Sequence, residues 1–166
     1  MAEIILTQGQ IALVDDADVA VVEKYKWHVE RGPSQPMYAV AQVPGEKPRR
    51  SLKMHRLLLG LKPGDPGVDH KNGNGLDNRR ENLRMATGSQ NSANSNGKLA
   101  RRKSRWKGVC WHKDSRRPAG GYWYVSVGMK GGRIQHRALS ELDAAKQYNT
   151  LATRLHGAFA RLNEIP

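Results

Sequence analysis

The sequence predicts an α+β protein: a β-rich N-terminal region that ends in a strand, a loop, a return strand and a short helix, then a small three-stranded antiparallel sheet packed on one helix. Three observations lead there. Short β-branched or alternating runs are separated by Gly, Pro, Asn and Asp clusters, the pattern of strands and turns. Only the stretch after Ser140 keeps a long helical period. Charge is also segregated: residues 1–68 carry nine Lys/Arg against eight Asp/Glu, residues 69–97 four against three, and residues 98–166 fifteen against four. The expected organisation is therefore an N-terminal region at 1–97, with its last unit at about 52–97, a basic linker at 98–105 and a C-terminal module at 106–166.

In order along the chain, residues 4–7, 10–14, 37–43 and 51–59 read as strands, and 19–25 fits either a helical turn or another strand. Trp27 reads as a core anchor. Residues 63–78 are rich in turn formers, with two Asn-Gly pairs at Asn72-Gly73 and Asn74-Gly75 that accept the positive φ of tight turns. The short segment 68–70 thus runs into a loop and a return. A short helix follows Thr87, whose hydroxyl is placed to cap it with Gln90 three residues on. Residues 95–105 lack apolar periodicity and read as linker. Beyond them, 106–111, 122–129 and 133–139 read as strands. Ser140 then caps a helix with Asp143 at the third position, Leu139 as a hydrophobic staple and Gly157 as the stop. Leu142, Ala145, Tyr148, Ala152 and Leu155 mark the face of that helix expected to pack on the sheet.

Composition narrows the function. The 166 residues are 38% apolar and 26% charged, with five Tyr, four Trp and one Phe, which favours folded modules with modest cores. No apolar run approaches the roughly 18 residues of a membrane span, and the N-terminus lacks a basic flank, so a cytoplasmic setting and no membrane partner are expected. One cysteine, Cys110, excludes an internal disulfide and paired-Cys zinc sites, leaving oxygen or nitrogen ligands for any metal. The net charge of +13, interleaved with Trp106, Trp111, Tyr122, Trp123 and Tyr124, points to a folded binder of nucleic acid.

The run Val68-Asp69-His70-Lys71-Asn72-Gly73-Asn74-Gly75-Leu76-Asp77-Asn78-Arg79-Arg80-Glu81-Asn82-Leu83-Arg84, continued by Ser89-Gln90-Asn91, resembles the HNH endonuclease motif. The resemblance implies a ββα finger around one divalent ion, Mg²⁺ or Mn²⁺. By position it makes His70 the general base, Asp69 and Asn91 the metal ligands, and Asn82 the residue that ties down the loop. Asn at the third motif position is common among homing-type members. His55-Arg56 is similar to the strand that precedes this finger, where Arg56 either approaches the DNA backbone or plays a structural part, and Arg79 in the loop is a further candidate DNA contact. The chemistry accounts for these residue types. An imidazole with a pKa near ~6.5 can take a proton from water near neutrality. Charge developing on the phosphate and the leaving oxygen calls for a hard cation, which oxygen ligands suit.

Residues 104–160 resemble the ethylene-responsive-factor (ERF-type) DNA-binding domain, through Trp106-Lys107-Gly108-Val109, Trp111-His112-Lys113, Tyr122-Trp123-Tyr124-Val125, Asp143-Ala144-Ala145-Lys146-Gln147-Tyr148 and His156-Gly157-Ala158-Phe159. That family lays a three-stranded sheet in the DNA major groove. Strand alternation puts Arg133, Gln135 and Arg137 on one face, and Lys107, Trp111, Lys113, Arg116, Arg117, Tyr124 and Ser126 are expected to join it. Cys110, Tyr124 and Ser126 stand where plant members carry arginine, so their target sequence does not transfer. His28, His112, His136 and His156 are left as structural or DNA-facing.

The reading that results is a metal-dependent, homing-type, phage-like endonuclease. It acts on double-stranded DNA, needs no small-molecule cofactor and favours a monomer, in the host cytoplasm if encoded by a phage. The alternative is a non-catalytic sequence-specific DNA-binding regulator, and the charge alone would also permit an RNA-binding protein.

Overall fold

The structure is a computed structural model that describes residues 1–31, 37–43, 45, 50–95 and 103–166. Among the described residues it is an α+β arrangement of four small antiparallel sheets and few helices. The chain divides into two compact units, Met1–Thr87 and Gly88–Pro166. The expected linker at 98–105 lies mostly outside the described residues, in its first five positions.

In the first unit, β1 (Ala2–Ile5) pairs with β2 (Ile11–Val14), and β3 (His28–Arg31) pairs with β4 (Met37–Gln42), which pairs in turn with β5 (Ser51–Lys53). Of the two readings left open for 19–25, the helical turn is present, as α1 (Val19–Val22). Strand β3 carried no apolar alternation to announce it. The expected strand at 51–59 stops at Lys53 and becomes α2 (Met54–Leu58). Met54 and Leu58, four residues apart, both bury, at 0% and 5% exposure. That helical spacing serves the core better than alternation would. The core gathers Leu6, Val14, Val22, Trp27, Met54 and Leu58, and the Trp27 indole N–H donates to the Val22 carbonyl at 2.7 Å.

Strands β6 (Gly67–His70) and β7 (Leu83–Ala86) form a separate hairpin, with Asp69 opposite Arg84 and His70 opposite Leu83. The loop between them is anchored on β2, where Leu13 N–H donates to the Leu76 carbonyl and Asn78 N–H to the Leu13 carbonyl, both at 2.8 Å. The two Asn-Gly pairs differ in kind. Gly73 turns at φ 76°. Gly75 takes no positive φ and is small because a Cβ there would stand 2.3 Å from the Met37 carbonyl oxygen.

The second unit opens with α3 (Gly88–Asn94), which begins one residue after Thr87. Strands β8 (Val109–Lys113), β9 (Gly121–Met129) and β10 (Gly132–Ala138) form its sheet with β9 central. β8 starts later than expected because the chain turns at Gly108, φ 71°. Helix α4 (Glu141–His156) packs on this sheet through Ala144, Ala145, Tyr148 and Ala152. Ser140 Oγ accepts from Asp143 N–H at 3.0 Å, and the Asp143 carboxylate accepts from Leu139 N–H at 2.8 Å, closing both ends of the cap. Two apolar expectations fail here: Leu139 is 98% exposed and staples nothing, and Leu142 is 38% exposed. The small Ala144 takes the inward position instead, letting helix and sheet approach closely. Asn149 and Asn163 exchange two amide–backbone bonds, and Asn163 makes two more with Lys107. These four bonds tie the C-terminal segment to the start of the sheet.

Candidate active site and nucleic-acid interface

Asp69 and His70 end β6, and each is only 5% exposed. The Asp69 carboxylate is held by its cross-strand neighbour, with Arg84 Nε and Nη2 donating to Oδ2 at 2.8 and 2.6 Å. His70 sits in a cluster of rings. His55 stands edge-on to it, with centroids 5.0 Å apart and an 86° interplanar angle, and Tyr38 lies 5.8 Å from His70 and 5.6 Å from His55. Burial lowers the His70 pKa, against the bond to Asn78 and the charges of Asp69 and Asp77. The ring is therefore neutral near pH 7, the form that accepts a proton. Burial also pushes His55 down to about 3, with help from His70, Lys53 and Arg56. Its Nδ1 is buried without a hydrogen-bond partner among the described residues. Tyr38 is shifted up by burial and by the Asp69 charge.

Asn82 ties the loop together. Its Oδ1 accepts from Asn72 N–H at 3.0 Å, while its amide donates to Asn72 Oδ1 at 3.1 Å and to the Asp77 carbonyl at 2.7 Å. Asn78, fully buried, faces His70 with Oδ1 3.4 Å from Nε2. Asp77, 2% exposed, accepts from Arg79 Nε and Nη2 at 2.8 and 2.7 Å and from the Asn72 amide at 2.8 Å. Arg80 forks onto Asp18 at 2.9 and 2.7 Å, fastening the loop to the N-terminal part.

The hydrogen bonds from Arg79 hold the Asp77 carboxyl below the ordinary carboxylate range, against the opposing effect of burial. A depressed folded-state pKa contributes stability that is present above the unfolded value, near ~3.9, and is lost as pH falls through the folded value. Acid melts of the full chain should therefore lose stability below about pH 4. Asp77→Asn should flatten that limb and cost about 1–3 kcal/mol at neutral pH. An unchanged acid limb in the variant would show that Asp77 carries none of it.

Other predicted residues fall in different places. Asn91 lies on α3, in the second unit. Arg56 is on α2, not on a strand, and its guanidinium donates to the Pro66 carbonyl at 3.0 Å and to the Lys62 carbonyl at 2.5 Å. It holds the turn that leads into β6. Arg79 is engaged by Asp77 and by Glu81.

In the second unit the sheet register sorts the basic residues. Cys110 and Arg137 both pair with Tyr124, His112 with Tyr122, and Gln135 with Ser126. Tyr124, Ser126, Arg133, Gln135 and Arg137 thus share the face turned away from α4, with Cys110, His112 and Tyr122 beside them. Arg137 lies 4.4 Å over the Tyr122 ring and Arg117 5.2 Å. Gln135 reaches Ser126 Oγ at 3.5 Å. Burial, followed by the Cys110 thiol, raises the Tyr124 pKa. Trp111 and Lys113 do not join this face. Alternation from Val109, which is buried under α4, carries them to the opposite side, where Trp111 meets Trp123 at 5.0 Å and Lys103 lies 3.9 Å over its ring. Lys107 spends its ammonium on the Ala93 carbonyl. Arg116 projects into solvent beside Asp114.

Tyr38 was not singled out from the sequence, Asn78 was given no role within the motif, and His55 was noted only beside Arg56. Their signal would have been the pairing of a buried imidazole with the Asp69-His70 hairpin, which depends on contacts distant along the chain. Among the described residues no group of three or more His, Cys, Asp or Glu is arranged to hold a metal, and no helix is long and apolar enough to cross a membrane.

Comparison with known proteins supports the motif. A family profile described as HNH endonuclease matches residues 53–93, which span α2 through α3. An uncharacterized HNH endonuclease of Acanthamoeba polyphaga mimivirus is 32% identical over 95% of this chain and 77% of its own length. Protein 3.8 of Escherichia phage T7 is 29% identical over 69% of this chain and 89% of its own length. No solved structure matches. With Asp69, His70 and Asn82 in a single hairpin and likeness to a viral HNH endonuclease over 95% of this chain, the chain belongs to the HNH endonuclease family.

Proposed function

We propose that the protein is a homing-type endonuclease that hydrolyses phosphodiester bonds of double-stranded DNA. The observation that carries the reading is the buried Asp69-His70 pair at the end of β6, in which an uncharged imidazole adjoins a carboxylate held by Arg84. His70 acts as the general base, taking a proton from the attacking water. Asn82 holds the loop in which the base stands.

Asp69 and Asn91 would hold one Mg²⁺ or Mn²⁺. A carboxylate and an amide oxygen form a hard-donor set that suits such an ion. When bound, the ion supplies positive charge where the phosphate and leaving oxygen become negative. Asn91, in place of His at the third motif position, supports the homing-type assignment.

The C-terminal module binds the DNA. Arg133, Gln135 and Arg137 stand in alternate positions of β10, with Tyr124 opposite Arg137. Arginine and glutamine are the side chains that read base edges bidentately in the major groove, and an exposed sheet can enter that groove. Arg116 and Arg117 are suited to phosphate contacts.

The test is incubation of the full chain with supercoiled plasmid and Mg²⁺ or Mn²⁺, with and without chelator. Nicked or linear product that chelator abolishes is the expected result. Binding without cleavage under every metal condition would leave the regulator reading. Arg133→Ala with Arg137→Ala should weaken duplex binding by about 1–3 kcal/mol for each lost base contact, and Arg116→Ala with Arg117→Ala should flatten its salt dependence by about 0.9 in the log–log slope for each phosphate that is no longer neutralised. An unchanged affinity in the first variant would remove the β10 face as the DNA-binding surface, and an unchanged slope in the second would remove the phosphate contacts.

A further inference from the structure

A neutral imidazole has one N–H and one lone pair, and the partner of the first decides where the second is. His70 Nε2 faces Asn78 Oδ1 at 3.4 Å in a buried contact. The orientation of that amide follows from its other end: Asn78 Nδ2 donates to the Leu76 carbonyl at 3.1 Å. Turning the amide over would set its oxygen against the Leu76 oxygen and strand its N–H₂ group, so the oxygen belongs toward His70. The residue has little freedom to do otherwise. It is 0% exposed, and its backbone N–H is bonded to the Leu13 carbonyl. The same Leu76 carbonyl also accepts from Leu13 N–H, which ties the amide to β2.

An amide oxygen can only accept. Nε2 must therefore donate, and the lone pair falls on Nδ1. The ring plane is limited by His55, edge-on at 5.0 Å, and by Tyr38 at 5.8 Å. Gly75 lets the Tyr38 ring come this close, since a Cβ at that position would sit 2.7 Å from it.

We propose that Asn78 is a positioning residue that fixes neutral His70 in the Nε2–H tautomer and so makes Nδ1 the proton-accepting atom; the catalytic part of this rests on reading His70 as the base. Asn78 touches the base and not the DNA. Its loss should lower the rate of the chemical step and leave KM for DNA alone.

The experiment is a proton–nitrogen correlation spectrum of the full-length, nitrogen-labelled, metal-free protein at mildly alkaline pH, with the His70 signals identified by their loss in His70→Gln. The unmodified protein should show the Nε2–H tautomer alone. Asn78→Leu, which keeps the bulk but loses the acceptor, should show a mixture of tautomers and a kcat lower by on the order of 10²-fold, with KM within about twofold. An Nδ1–H tautomer in the unmodified protein overturns the assignment whatever the variants do. An Asn78→Leu protein that keeps the Nε2–H tautomer or near-normal kcat overturns it as well. If His70→Gln cleaves normally while the spectrum shows the expected tautomer, the base reading has failed and the tautomer assignment stands, so the two failures are distinct.

Discussion

His70→Ala should lower cleavage by on the order of 10²- to 10⁴-fold while duplex binding changes little. The proposed base acts on water, so its removal withdraws an interaction made in the transition state and almost none made with bound DNA. Burial favours the neutral ring, and the Asn78 amide holds one of its nitrogens. His70→Ala also opens space beside His55 and Tyr38, so a thermal melt should accompany the assay. Cleavage and binding measured on one duplex with the same protein sample provide the check. Near-normal turnover by a folded His70→Ala protein would exclude His70 as the base.

The largest expected effect on stability is at Gly75. A Cβ there would stand 2.3 Å from the Met37 carbonyl oxygen and 2.7 and 2.8 Å from two carbons of the Tyr38 ring. The first of these is backbone in β4 and cannot swing aside. Gly75→Ala must therefore push the loop off β4 or displace Tyr38, at a cost of about 3 kcal/mol. In a domain of this size that corresponds to a melting midpoint lower by roughly 10–20 °C. Cleavage should fall too, because Tyr38 packs on both His55 and His70. Gly88→Ala is the control: nothing lies within 4 Å of its Cβ and its φ is not positive, so its midpoint should barely move. Equal melting of the two variants would show that the approach of the loop to β4 is not tight in solution.

The local placement of Asp69, His70 and Asn82 was readable from the sequence. Asp69, His70 and Asn82 stand at a strand end and around a loop whose Asn and Gly residues announce a turn, and the structure places all three in one hairpin. Alternation along β10 sorted Arg133, Gln135 and Arg137 onto one face for the same reason: side-chain direction in a strand is a local property. Trp111 and Lys113, expected to join that face, fall on the other, because the resemblance that placed them carried no starting phase for β8. That phase is set by Val109, which buries under α4 once Gly108 has turned the chain.

Family membership, the segregation of charge and the α+β class were thus determined by residues near one another in sequence. Tertiary structure decided what depends on burial and on distant partners. Only packing against the first unit's core made residues 54–58 helical, and this carried His55 to the side of His70. Only the docking of the loop on β2 turned the Asn78 amide toward His70. Gly75 looked like a turn residue and proved to be a spacer for Tyr38. The physical reason is common to all three: a pKa, a tautomer or a required absence of side chain depends on the volume and polarity surrounding a group. Those surroundings come from segments tens of residues away, which no local pattern records.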